Sequence, residues 1–329
     1  MIALSLAIAP PAEGRVRMVS DESEAVLRIL DIESKGAMPT DKDWAALFAT
    51  DGYRRLKERE LGMKRKFEDD DFRAFVGSAD LIANREVLRT ALDAWEHADV
   101  RECQARALAY LPKGADITAK VYILIKPLKN SFVWGIPDDP AIMLYLDPAK
   151  SKEAFTNTVA HEMHHIGYGR SCPSKAFKDW LEKQSEARKT AYLWLGAFGE
   201  GFAVLAAAPG LNGSPEGTAA ADVQADWAHG MANQPEQFRD VETFFLQVLD
   251  GKLDSSQAAE KARDFYGIVG PWYTVGYTMA TTIEKVYGRT KLIACYQDPR
   301  LLIPTYQAAA TRLTPSPPLW SHEFVDGLK

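Results

Sequence analysis

The stretch His161-Glu162-Met163-His164-His165 constrains this chain more than any other part of it. Two histidines four residues apart share a face only on a helix, where they lie one turn apart. There both imidazoles can reach one metal ion at about 2.0–2.1 Å. Glu162 projects toward the edge of that face, in reach of a water on the same ion. His164 points to a different face and reads as a packing or supporting residue, not a ligand. The chain has only six histidines, so the pattern is no by-product of histidine richness. A chance match is on the order of one in a hundred. Phe155, Val159, Glu162 and Ile166 form one flank of the helix, with Thr158, His161 and His165 beside them. Gly167 and Gly169 predict its end.

A catalytic zinc usually takes three protein ligands and keeps one position open. His97, His229 and His322 remain, and none follows closely enough to complete H-E-x-x-H-x-x-G-x-x-H. Cys103, Cys172 and Cys295 are widely spaced, which excludes both a thiolate site and a disulfide framework. A carboxylate fits better. In the apolar run Leu193–Ala208, Glu200 is the only charged side chain between Lys189 and Glu216. Such a carboxylate is expected to be buried, and burying it unpaired is costly. A cation removes that penalty, and Arg188 or Arg170 is the alternative partner. Gly199 and Gly201 flank Glu200 and would let another backbone approach closely. The expected cofactor is one zinc ion on His161, His165 and Glu200.

The rest of the chain predicts a helix-dominated α+β protein. Helical spacing runs from Asp21 to about Leu111, with a helix start at Pro39-Thr40-Asp41 and a break at Leu111-Pro112-Lys113-Gly114. Three strand candidates follow: 117–125, 131–134 and 141–146. Helices are expected over 152–167, 174–208, 218–232, 236–250, 255–265 and 273–287. Loops hold Pro209-Gly210 and Gly270-Pro271. The expected division is a tail over 1–18, a helical region over 19–115 and a catalytic region over 116–329. The last comprises the sheet and metal helix (116–170) and a helical half (171–329), in one compact unit.

A net charge of −6 without a concentrated basic face argues against a nucleic-acid partner. The most basic stretch, Arg54 to Lys66, is interleaved with Glu58 and Glu60 and followed by Glu68-Asp69-Asp70-Asp71. It reads as a solvated helix surface. No run approaches the roughly 20 apolar residues that span a bilayer. The apolar Met1–Pro11 segment lacks a basic start and reads equally as a disordered tail or the remnant of an export signal, so the compartment stays open. Nothing in the composition points to an oligomeric state.

With His161, Glu162, His165 and Glu200, the chain resembles the gluzincin class of metallopeptidases. More narrowly it resembles a family of uncharacterised bacterial zinc-dependent peptidases. Matching stretches are Asn130-Ser131-Phe132-Val133, Asn157 to Gly167, Gly199 to Ala203 and Gly270 to Gly276. The resemblance implies a zincin-like, thermolysin-like core with a small sheet before the metal helix, and a peptide or protein substrate. It implies Glu162 as general base and Tyr273, in Tyr273-Thr274-Val275-Gly276, as oxyanion donor. Tyr277 and His229 are the reserve candidates for an oxyanion or supporting role. It also implies that the strand over 141–146 offers an open edge to extended substrate. One departure stands out: Val204 occupies the position where the thermolysin group has an acid supporting a histidine ligand. Asp222 and Asp226 are the substitutes the sequence offers. Two other functions share these residues, a zinc hydrolase of a non-peptide amide or ester and a non-catalytic zinc-stabilised binding protein. Only the catalytic readings need Glu162.

Overall fold

A computed structural model describes residues 16–208, 211, 215, 219–267 and 269–329. The protein is a helix-dominated α+β structure with one small mixed sheet. Its packing forms two compact units.

The first unit comprises the described residues up to Ala98 together with Ile117–Pro148. It holds β1 (Val16–Val19), α1 (Asp21–Glu33), α2 (Asp41–Phe48), α3 (Asp51–Gly62), α4 (Asp69–Val76) and α5 (Ala79–Glu96). After a departure into the second unit come β2 (Ala119–Leu124), β3 (Phe132–Trp134) and β4 (Ala141–Tyr145). The predicted start at Thr40 is a capping box: its hydroxyl accepts from the Asp43 N–H, and the Asp43 carboxylate accepts from the Thr40 N–H.

Strand order is β1-β2-β4-β3, with β1, β2 and β4 parallel and β3 antiparallel to β4. Val121–Leu124 of β2 are buried, as an apolar strand between parallel neighbours should be. Two expectations are corrected here. Residues 16–18 are no tail, since Val16–Val19 pair with Ala119–Tyr122; residues 1–15 lie outside the described set. The strand over 141–146 offers no open edge, because β2 bonds it on one side and β3 on the other.

Helix α1 shows why the sheet groups with the helices before it. Ala25, Val26, Leu27, Ile29 and Leu30 are buried. The Ser23 hydroxyl donates to the Ile123 carbonyl, and the Ile125 N–H donates to Glu22 Oε2 at 3.0 Å. The expected boundary at 115/116 would cut these elements apart.

The second unit comprises Asp99–Asp116 and Ala149–Lys329. It contains α6 (Arg101–Leu108), α7 (Lys152–Ser171), α8 (Lys175–Leu181), α9 (Glu186–Leu195), α10 (Gly199–Ala207) and α11 (Ala221–Ala232). It continues with α12 (Gln234–Leu249), α13 (Ser255–Ala262), α14 (Pro271–Tyr287), α15 (Arg289–Gln297), α16 (Leu302–Ala310) and α17 (His322–Gly327). Helix α7 runs through Gly167 and Gly169 and stops only before Pro173. The residue preceding a proline is pushed out of the helical region, and Cys172 is extended at φ −132°, ψ 153°.

The single helix expected over 174–208 is three. Ser174 and Ser185 accept from the N–H groups of Phe177 and Arg188 and so start α8 and α9. A 3-10 turn at Gly196–Phe198 then separates α9 from α10. The span Glu186–Ala207, 22 residues, is long and apolar enough to cross a membrane. It is not an unbroken apolar run, since Glu186, Arg188, Lys189 and Glu200 fall within it. Most of it is buried in this unit's own core, however, and the 3-10 turn interrupts it.

Helix α10 is apolar on all sides except at Glu200, which is the pattern of a core helix. It crosses α14 backbone to backbone. A Cβ on Gly201 would lie 2.0 Å from the Tyr277 nitrogen and 2.4 Å from the Tyr273 carbonyl oxygen. A Cβ on Gly276 would lie 2.6 Å from the Phe198 carbonyl oxygen. Arg106 on α6 ties the bundle from another side. It donates to Glu153 at 3.1 Å and Asn157 Oδ1 at 2.7 Å, both on α7, and to the Ala207 carbonyl at the end of α10 at 3.1 Å.

Candidate metal centre

Ser151 caps the start of α7 by accepting from the Ala154 N–H at 3.1 Å. Val159, Ala160, Met163 and Ile166 are fully buried, which fixes the helix's rotation and turns His161 and His165 toward α10. Their Nε2 atoms are 3.0 Å apart. Glu200 Oε2 stands 3.2 Å from His161 Nε2 and 3.1 Å from His165 Nε2. These three side chains form the only group of three or more metal-ligating side chains among the described residues. With bonds of about 2.0–2.1 Å, neighbouring ligands of a tetrahedral zinc stand about 3.3 Å apart. The triangle therefore matches a zinc ion in size, and its two imidazoles and one carboxylate match it in chemistry. Neither Arg188 nor Arg170 is the partner of Glu200.

Electrostatics point the same way. Burial alone would raise the Glu200 carboxyl, but His165 and His161 overcome it and hold the group well below the carboxylate range. Burial would likewise lower His165, yet the charge and hydrogen bond of Glu200, with Glu162 behind, push it up to about 9. A proton on His165 thus occupies the place a cation would take. Metal binding must expel it. Affinity for Zn²⁺ should accordingly rise by about tenfold per pH unit from pH 7 toward 9 and level off above. Titration calorimetry across that range should give release of about one proton per ion at pH 7. Affinity flat with pH would contradict this picture.

Glu162 is 7% exposed. Burial raises its carboxyl; His161 and His165 oppose the shift and Glu200 adds to it. Tyr273 lies in the first turn of α14, just after Pro271. Its ring stacks on that of His161, centroids 6.3 Å apart and planes 16° from parallel. Burial raises its phenol well above the ordinary value, with the charges of Glu200 and Glu162 and a hydrogen bond to Glu200 adding to the rise. It remains a protonated donor at neutral pH. The Gly201–Gly276 contact is what brings α14 close enough for this.

The structure draws the other named residues elsewhere. Tyr277 packs edge-on against Trp227, centroids 5.2 Å apart. His229 is exposed on α11, where its carbonyl accepts from the Asn233 amide at 2.8 Å. Asp222 and Asp226 are exposed on the same helix. Val204 is a buried core residue. His164 turns away from the ligands and lies edge-on to Tyr296; burial drives it down to about 3, so it is neutral.

One neighbour was missed. Tyr266 lines a cavity of about 290 Å³ with His165, Glu200, Tyr168, Leu193 and Trp194. Burial, and then the charge of Glu200, push its phenol up to about 12. The available signal was an aromatic residue beside Gly267 in the loop leading to Gly270-Pro271.

A family model matches residues 44–314, and its description is "putative zinc dependent peptidase". This is the narrow family whose resemblance the sequence carried. No curated protein and no solved structure matches the chain.

Proposed function

The chain belongs to this family described as zinc-dependent peptidases, and from that premise we propose that it hydrolyses peptide bonds at a gluzincin-type, zincin-like centre. His161, His165 and Glu200 hold the ion, and Glu162 is the general base. The convergence of three ligand atoms within 3.0–3.2 Å, with Glu162 on the same helix, carries this reading. A bound zinc ion supplies a Lewis acid that polarises a carbonyl and lowers the pKa of a water to about 7. Glu162 takes the proton of the attacking water and passes it to the leaving amine. Its raised carboxyl suits both halves of that transfer. Tyr273, protonated and beside Glu200, donates to the substrate oxygen as charge gathers there.

The purified chain should carry about one zinc per molecule, the one-ion centre expected of such a site. It should cleave members of a degenerate peptide library read by mass spectrometry. Chelation should abolish cleavage and zinc should restore it. Full zinc loading without cleavage of any peptide would sink the peptidase reading and favour a binding role. Cleavage of amide or ester reporters alone would favour a non-peptide hydrolase.

Tyr273→Phe should lower kcat by about 10²-fold, the loss expected of one oxyanion donor, with zinc content unchanged. Tyr277→Phe, whose ring packs on Trp227, should stay within about twofold of the native rate, since surrounding structure is kept. The reverse order would transfer the role to Tyr277.

A further inference from the structure

The basic stretch ending at Lys66 takes no part in the candidate metal centre. Its end lines a second cavity, of about 260 Å³, within the first unit. Leu56, Phe67, Phe72 and Leu128 give it apolar walls, and Arg65, Lys66 and Lys126 line it as well. Glu60, Glu68 and Asp71 line it too. Two of these acids are already matched: Glu60 by Arg59 and Arg65, Asp71 by Lys66 at 2.9 Å. Glu68 is exposed to water.

Lys126 is different. It is 2% exposed, and none of the ion pairs among the described residues includes it. Its ammonium donates to two neutral oxygens, the Leu128 carbonyl at 2.5 Å and Asn130 Oδ1 at 2.7 Å. The rings of Phe132 and Tyr145 lie 5.3 and 6.0 Å away. A buried cation with no carboxylate in direct contact is among the costlier arrangements in a protein. Burial pushes this ammonium down to about 7; Glu60 and Glu22 oppose the shift, and Arg59 and Arg65 reinforce it. An anion in the cavity would hold the proton in place.

We propose that this cavity is a binding site for a small monocarboxylate with an apolar tail, its carboxylate meeting Lys126 and its tail lying against Phe67, Phe72 and Leu128. An ammonium has three N–H donors and two are spent, so the site suits one singly charged head group better than a phosphate dianion. Phe67 and Leu128 explain why the ligand should carry an apolar body. The volume lies just below the usual range for drug-sized ligands, which favours a short chain.

The test uses the full chain and titration calorimetry with octanoate and its neutral counterpart octanamide. Octanoate should bind saturably and at least about tenfold more tightly than octanamide, the ratio expected of one charge-assisted hydrogen bond. Lys126→Met should bring that ratio to about one. Loss in the Lys126 variant also separates this cavity from carboxylate binding at the metal centre. Should Lys126→Met fail to fold, Leu128→Glu, at a half-exposed position, places a competing carboxylate at the cavity. It should weaken octanoate and leave octanamide unchanged. Equal affinity for octanoate and octanamide, no saturable octanoate binding, or octanoate binding indifferent to these substitutions would overturn the proposal.

Discussion

Glu162→Gln should lose peptide cleavage by about 10³-fold, the range for removing a positioned general base, while still binding one zinc. The two halves of this result come from different atoms. On the proposed reading, zinc affinity would rest on the His161–His165–Glu200 triangle, of which Glu162 is no member. Proton transfer, on the same reading, would rest on a carboxylate that Gln copies in shape but not in basicity. Stripped of metal, the variant should also lose nothing in stability at alkaline pH. Burial raises the Glu162 carboxyl above its unfolded value, so folding takes up a proton. The ionised side chain then weakens the native state as pH rises above the unfolded value. A neutral Gln removes that weakening. Zinc content by plasma emission, melting temperature at pH 8 and cleavage rate form the measurement. A variant that loses zinc together with activity would make Glu162 a structural support instead of the base.

Gly201→Ala should be the most damaging single-methyl change in the second unit, costing about 3 kcal/mol or more. A Cβ there would lie 2.0–2.4 Å from backbone atoms of Tyr277, Gly276 and Tyr273, and backbone cannot rotate aside as a side chain can. Helices α10 and α14 would have to separate, moving Glu200 and Tyr273 apart. Chemical denaturation and zinc affinity should fall together. Gly199→Ala is the natural control: nothing lies within 4 Å of its Cβ. It should be neutral or mildly stabilising, by up to about 1 kcal/mol, because alanine is the better helix former. Equal damage at both positions would mean that the helix crossing is not what sets the site.

The grouping of His161, His165 and Glu200 was legible because its signals are local. The i, i+4 histidines report one helix face, and Glu200 is conspicuous as the one charge in an apolar run. Gly201 beside it foretold a close backbone approach, though the partner Gly276 lies 75 residues on. What stayed hidden depends on distant partners. β1 is only four residues long and becomes a strand through β2, a hundred residues later. That β4 is flanked on both sides depends on strand order, which no single strand's sequence states. The breaks within 174–208 carried cues, Ser174 and Ser185, but a continuous apolar pattern masked them. Tyr266 sits in a loop, where no periodicity points an aromatic ring anywhere.

Arg106 has a consequence for how the chain can be divided. The guanidinium that braces both ligand-bearing helices sits on a short segment, Asp99–Asp116, that returns to the first unit before α7 begins. The polypeptide passes between the units three times, so each unit is stitched from two pieces. A fragment starting at residue 116 would keep His161, His165 and Glu200 and lose the brace between their helices. A cut before Asp99 instead keeps both pieces of the second unit, but it carries Ile117–Pro148 of the first unit between them.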